Sequence, residues 1–364
     1  MTTDENSPKE DEKKEELPPN LYKYRSFSSP YITDILDGIA KDEIYFSCPT
    51  EFNDPCEGTI IINDKISNRG KYSFLLYSLS ANNDIISMWS HYSNSHKGFC
   101  IEYNNMKNSH DDFDMQKVSY KTDVPQIHTN NIFANQKLSV LDKEEKLKLE
   151  YEKFIKAYYT KSTDWEYENE WRLRYYPIYG HINIFIYCIF YDTFSTQPEK
   201  TAEAINNMLK EYVDSDEVVK NDEKYIELRS YFLTSLNSSE TIKDNETLHE
   251  NVLNLLSYLY NKQNNKRNFE LKDCGLTITA IYLGLEVENN SIEDLEKVIK
   301  LLEIADQKNL KVYQMPKTST AIDIDEFIKK LQNKIDSLEE DKKLVELERK
   351  NKETLEKMKK NLQF

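Results

Sequence analysis

Apolar positions along this chain follow two different periods. In YITDILDGIAKD, Ile32, Ile35, Leu36 and Ile39 recur every three or four residues, which predicts an amphipathic helix starting near Thr33 or Asp34. SIEDLEKVIKLLEIADQKN (291–309) predicts a second one, with a serine cap and acidic residues in its first turn. DIISMWSHYSNSHKG (84–98) reads as a short helix, and 136–160 as a longer one carrying Leu138, Leu141, Leu147, Leu149, Tyr151 and Phe154. Strand composition marks LYKYRSF (21–27), EIYFSCP (43–49), GFCIEYN (98–104), EWRLRYYP (170–177), NIFIYCIFYD (183–192), LTITAIYLGLEV (276–287) and LKVYQMP (310–316). KYSFLLYSLS (71–80) fits either state.

Two stretches break this alternation. Residues 195–270 are acidic, amphipathic and almost free of glycine and proline, and read as a helical insertion. Residues 319–364 read as a C-terminal, coiled-coil-like helix. There Ile324, Phe327 or Ile328, Leu331, Ile335 and Leu338 keep heptad spacing until Lys342, and Leu355, Met358 and Leu362 resume it. The first 19 residues are charged, end in Pro18-Pro19 and read as a disordered tail. The remainder, 20–194 and 271–318, predicts an α+β core: a split, mostly antiparallel sheet flanked by helices.

Composition narrows the function classes. With 48 lysines and arginines against 64 aspartates and glutamates the net charge is −16, which disfavours a broad phosphate-binding surface. Seven glycines and the lack of a phosphate loop or GxGxxG disfavour a glycine-rich nucleotide cradle. The five cysteines show no CxxC pattern and suit reduced thiols. No apolar run of membrane-spanning length and no apolar leader occur, so a soluble, cytoplasmic protein is expected.

The densest candidate chemistry is WEYENEWRLRYYP (165–177). As an extended strand it points Glu168, Glu170, Arg172 and Arg174 to one face. Two carboxylates on one face suit a sugar or ribose centre, where one stabilises positive charge and the other handles a proton. They equally suit a same-face ion pair with Arg172. Trp89 and Tyr92, three apart on a helix, fit a core stripe as well as a ligand wall, and His91 lies on another face. His91 and His96 are five apart, which is no helical metal-ligand spacing, and no metal site is expected. FNDP (52–55) reads as a turn closed by Asn53 and Asp54, with Glu57 beside it.

LYKYRSF, IYFSCPTEFNDPCEG, the SLS stretch, MWSHYSNSHKGFCIEYN, VSYKTD, YENEWRLR and IYLG occur in that order, and together they resemble the bacterial family known as domain of unknown function 2971. The resemblance spans about 21–192 and 276–317; the insertion and the C-terminal helix fall outside it. A second resemblance is to ADP-ribosyltransferases of the arginine–serine–glutamate type. It rests on Arg25 in LYKYR, Ser78-Leu79-Ser80 before a helix, and Glu168-Asn169-Glu170. Ser47 in YFSCP is a rival for the serine motif. This resemblance implies an ADP-ribosyltransferase-like core that consumes NAD, as a bacterial toxin or antiphage effector. Arg25 would hold the NAD phosphates or ribose, with Ser78 and Ser80 shaping the nicotinamide pocket. Tyr24, Trp89, His91 and Tyr92 would line it, Glu170 would stabilise the transition state, and Glu168 would prepare the acceptor. Two alternatives remain open: a non-catalytic nucleotide- or partner-binding module, and a metal-dependent nuclease built from Asp54, Glu57 and the EWR segment. The C-terminal helix implies a protein partner or a homo-oligomer.

Overall fold

A computed structural model describes residues 16–62, 64–67, 75–106, 113–122, 126–127, 140–175, 220–237, 245–264, 267–315 and 320–361, with isolated positions between 202 and 214. The strand expected at 183–192 and most of the charged tail lie outside the described residues. Seven strands form the main sheet: β1 (Asn20–Arg25), β2 (Leu75–Ser80), β3 (Phe99–Asn105), β4 (Phe113–Lys117), β5 (Glu170–Tyr175), β6 (Leu276–Leu283) and β7 (Lys311–Gln314). Their order is β7-β6-β3-β1-β2-β5-β4, and only the β6–β7 pair is parallel. The expected mostly antiparallel α+β architecture is therefore present.

The sheet consists of two well-paired halves with a narrow seam. β1 and β3 pair over six positions, and so do β2 and β5. Across the seam, β1 and β2 share only Tyr22↔Ser80. One face of both halves is apolar: Leu21, Tyr77, Leu79, Phe99, Ile101, Tyr103, Trp171 and Leu173 are buried in one core. Within that core the Tyr77 and Tyr103 hydroxyls meet at 2.9 Å, which ties the halves together behind the seam. Each such large apolar side chain contributes about 1.5–3 kcal/mol by leaving water.

Helices close the apolar face as the spacing anticipates. Helix α1 (Ile32–Lys41) buries Ile32, Leu36 and Ile39. Four more helices follow in the chain: α2 (Ile86–Tyr92), α3 (Val140–Ala157), α4 (Glu223–Leu236) and α5 (Asn245–Asn264). Helix α6 (Ile292–Gln307) starts at Ser291, whose hydroxyl accepts the Asp294 amide at 3.2 Å, and it buries Leu295, Val298, Leu301 and Leu302. Helix α7 (Ile324–Asn361) adds Phe327 and Leu331 to the same core. Among the described residues of the 195–270 stretch, α4 and α5 bury Phe232, Val252, Leu255 and Leu259 with Leu209 in a separate apolar cluster. Asp222 caps α4 by accepting the Tyr225 amide at 3.0 Å.

Candidate functional site: a carboxylate–cation cluster at the seam

The opposite face of the sheet is polar and aromatic. Registers run Ala280–Glu102–Tyr22–Ser80–Glu170 in one row across five strands. Ser78 faces Arg172 one step along. Strand alternation thus places Glu170, Arg172, Ser78 and Ser80 together, as the EWRLR and SLS patterns predict.

Glu168 departs from the expected strand. A 3-10 turn spans Thr163–Glu168, with the Ser162 side chain accepting the Asp164 amide, and Asn169 follows in the left-handed conformation at φ 43°. An asparagine tolerates that geometry, and its bend separates Glu168 from the strand. Its backbone still meets the serine motif: the Ser80 hydroxyl donates to the Glu168 carbonyl at 2.7 Å.

Three carboxylates and two cations converge there. Arg172 donates from Nε to Glu170 Oε1 at 2.8 Å and from Nη2 to Glu170 Oε2 at 3.0 Å. The same Nη2 donates to Glu57 Oε1 at 2.6 Å, while Nη1 donates to the Tyr158 carbonyl at 2.6 Å. Lys161 Nζ lies between all three acids, 2.6 Å from Glu168, 3.1 Å from Glu57 and 3.3 Å from Glu170. The Tyr92 hydroxyl donates to Glu168 Oε1 at 2.5 Å, and the Glu170 amide donates to the Tyr120 hydroxyl at 2.8 Å. Glu57, Lys161, Glu168, Glu170 and Arg172 are all buried. Glu57 Oε2 is buried with no hydrogen-bond partner.

Burial and pairing drive these acids apart. Burial raises the Glu170 carboxyl, but Arg172 and then Lys161 overcome it and hold the group down at about 2. For Glu57 burial wins over Arg172, and its carboxyl is pushed above the usual range. Lys161 is stabilised as a cation: Glu170, Glu57 and Glu168 together outweigh its burial. Lys23 stands beside this group, its Nζ donating to the Ser78 carbonyl at 2.5 Å and lying 4.8 Å from the Tyr77 ring. Burial first, and Arg25 second, push its ammonium well below the ordinary value despite Glu170 and Glu168.

The cluster gathers Glu168, Glu170, Ser78, Ser80 and Tyr92 from the expected residues. Arg25 is not among the groups bonded to these carboxylates. It neighbours Tyr77 and Tyr103, and its Nε is buried with no hydrogen-bond partner. Trp89 is 1% exposed; its Nε1 donates to the Asn83 carbonyl at 2.7 Å and it meets Tyr24 edge-on at 5.2 Å. Trp89 and Tyr24 are therefore packing residues, and the Tyr24 hydroxyl is taken by the Asn82 carbonyl at 2.9 Å. His91 is exposed, 6.2 Å from the Tyr167 ring. Asp54 makes the expected turn, accepting the Cys56 amide at 2.8 Å.

Sequence reasoning missed Lys161 and Lys23 and gave Glu57 no firm role. Lys161 carries no recognisable motif: Glu57 comes from a distant segment, and Glu168 and Glu170 follow Lys161 through an irregular turn. At the far end of the same register row, Glu102 is ringed by hydroxyls. Tyr282 donates at 2.8 Å, Thr279 at 2.8 Å and Tyr22 at 3.2 Å.

The mounting of Tyr92 is unusual. After α2, Asn94, Ser95 and His96 all have positive φ, of 50°, 56° and 66°. Such a run costs about 1–2 kcal/mol per residue. Four amide bonds within the segment hold it, from Ser95 to the Ser90 carbonyl, His96 to the Trp89 carbonyl, Lys97 to the Asn94 carbonyl and Gly98 to the Ser93 carbonyl. A Cβ on Gly98 would stand 2.1 Å from the Arg25 carbonyl, and one on Gly284 would stand 2.0 Å from that of His96, so both positions require glycine.

Fold and site together define an α+β protein with a buried carboxylate–cation cluster at the seam of two half-sheets. Residues 88–173 match the family model described as Protein of unknown function (DUF2971), and the chain carries a domain of that family. The match runs from MWSHY through EWRL and is narrower than the blocks that suggest it. Neither the curated proteins nor the solved structures gave a match. Among the described residues, no group of three or more His, Cys, Asp or Glu side chains is arranged to hold a metal ion. Where three carboxylates meet, Lys161 Nζ already supplies the positive charge. No helix among the described residues is long and apolar enough to cross a membrane.

Proposed function

We propose that the seam cluster is the centre of an NAD-consuming enzyme of the ADP-ribosyltransferase type. The carrying observation is the meeting of the serine motif with both glutamates: Ser80 pairs in register with Glu170 and its hydroxyl donates to the Glu168 carbonyl at 2.7 Å. Loss of nicotinamide leaves positive charge on the ribose anomeric carbon, and a fixed carboxylate in a water-poor site stabilises that charge as it forms. The geometry favours a division of labour different from the expected one. Glu170 is locked by both nitrogens of the Arg172 fork and serves as the electrostatic anchor. Glu168, held by Lys161 and by the hydroxyl of half-buried Tyr92, is the carboxylate we assign to the ribose. Arg25 is a framework residue in this reading.

The assay is release of nicotinamide from NAD by the full chain, with bacterial lysate as the source of acceptors. Wild type is expected to release it, and Glu168→Gln to lower the rate at least about 100-fold while leaving the protein folded. Wild-type protein that releases none overturns the proposal. The complete pairing of Glu170 and Arg172 favours a second reading, a non-catalytic nucleotide-binding module. Calorimetric binding of NAD without turnover is the outcome that selects it.

A further inference from the structure

The two halves of α7 present opposite faces. Phe327 and Leu331 are buried, and Ile324, Ile328, Ile335 and Leu338 pack against the main core. At about 100° per residue, Leu344, Leu347 and Asn351 lie about 180° round the helix from that docked stripe. Leu344 is 62% exposed and Leu347 58%. In sequence the spacing continues through Leu355 and Met358. The side in line with the docked stripe carries one exposed apolar residue, Val345, among charged side chains. There Arg349 pairs with Glu346 at 2.8 Å and with Glu353 at 2.9 Å. The outward apolar stripe therefore cannot turn back onto its own core without unwinding the helix.

We infer that this stripe binds a second copy of the chain as an antiparallel, two-fold symmetric helix pair centred on Asn351. The argument is self-complementarity. With one helix reversed about Asn351, Leu347 comes opposite position 355 of the copy and Leu344 opposite position 358, both apolar in sequence. Reversal also brings each edge of the stripe against the same edge of the copy. One edge carries Glu348 and Lys352, which are exposed and, among the described residues, make no ion pair within the chain. They pair as Glu348 with Lys352 of the copy, twice by symmetry. Asp341 and Lys359 stand in the same relation along that edge. A parallel pair would set this edge against the opposite one, which carries Lys343 and Lys350, and Lys352 would face lysines. Asn351 on the axis meets its own counterpart, the arrangement by which one polar core residue fixes register. This pairing is independent of the proposed chemistry.

Sedimentation equilibrium of the full chain, up to about 100 µM, tests it. Wild type is expected to dimerise, and Leu344→Glu combined with Leu347→Glu to be monomeric with unchanged helix content. Glu348→Lys alone is expected to weaken the dimer at least about tenfold, because two attractive pairs become repulsive. Glu348→Lys combined with Lys352→Glu is expected to restore it, since the swapped charges pair again. A monomeric wild type overturns the inference. So does a dimer that Glu348→Lys leaves intact, or one that the double swap fails to restore.

Discussion

Two buried glutamates on one sheet row are satisfied by opposite means. Glu170 is held by the Arg172 fork and by Lys161. Glu102, three strands away, takes its hydrogen bonds from Tyr22, Thr279 and Tyr282 hydroxyls. At about 4.8 Å per strand they are roughly 14 Å apart. The difference teaches what each can do. The first is part of a charge lattice in which removing one member strands another. The second belongs to a neutral-donor ring: an amide oxygen can accept two of its three bonds, and the remaining hydroxyl can turn to accept from the amide nitrogen. Glu102 leaves its mark on its donors: burial first, then the carboxylate, pushes the Tyr22 hydroxyl up to about 12.

The largest expected effect that separates them is Glu170→Gln. It leaves the buried Arg172 cation short of half its countercharge and should cost about 3–5 kcal/mol of stability in urea unfolding. A loss no larger than that of Glu102→Gln would erase the distinction. A pH titration of stability is the next discriminator. Glu170 is held below its ordinary value, so its contribution is fully present above about 4.5 and is lost as pH falls through about 2. Glu57 is shifted the other way, so its contribution is present at low pH and lost as pH rises through its folded value. Glu170→Gln should therefore flatten the acid limb of the profile, and Glu57→Gln should steepen it; equal profiles in the two variants would refute the opposed shifts. The smallest effect belongs to Glu102→Gln, about 1 kcal/mol in the same urea assay, because the hydroxyl ring stays satisfied. A cost above about 3 kcal/mol would show that this acid, too, is balanced by a charge.

The elements were legible where one local period decided them. Ile32 to Ile39 and the Ser291 cap specify their helices, and EWRLRY specifies its strand and face. Glu168 was misread because alternation continues through it, while the left-handed turn at Asn169 leaves no trace in a period of two. Lys161 was invisible for a different reason: its partner Glu57 comes from far up the chain and meets it only in the folded protein, beside the seam. That seam rests on the single Tyr22↔Ser80 register, a long-range pairing with no local signature. The serine and glutamate motifs, in the order the resemblance implied, do meet at one place. Arg25, the third member of that order, shares the strand but sits beside Tyr77 and Tyr103.

Gly284 gives the family match a boundary problem of its own. The matched stretch ends at 173, yet the loop that seats Tyr92 is fastened from beyond it. The Gly284 amide donates to the Gly98 carbonyl at 2.9 Å and that of Glu286 to the His96 carbonyl at 3.0 Å. Asn290 Nδ2 donates to the Lys97 carbonyl at 2.8 Å. The smallest transplantable unit is thus discontinuous in sequence: an excised 88–173 fragment would keep the signature and lose the clasp. Natural variation at positions 284 to 290 should accordingly track variation at 94 to 98, as two ends of one joint.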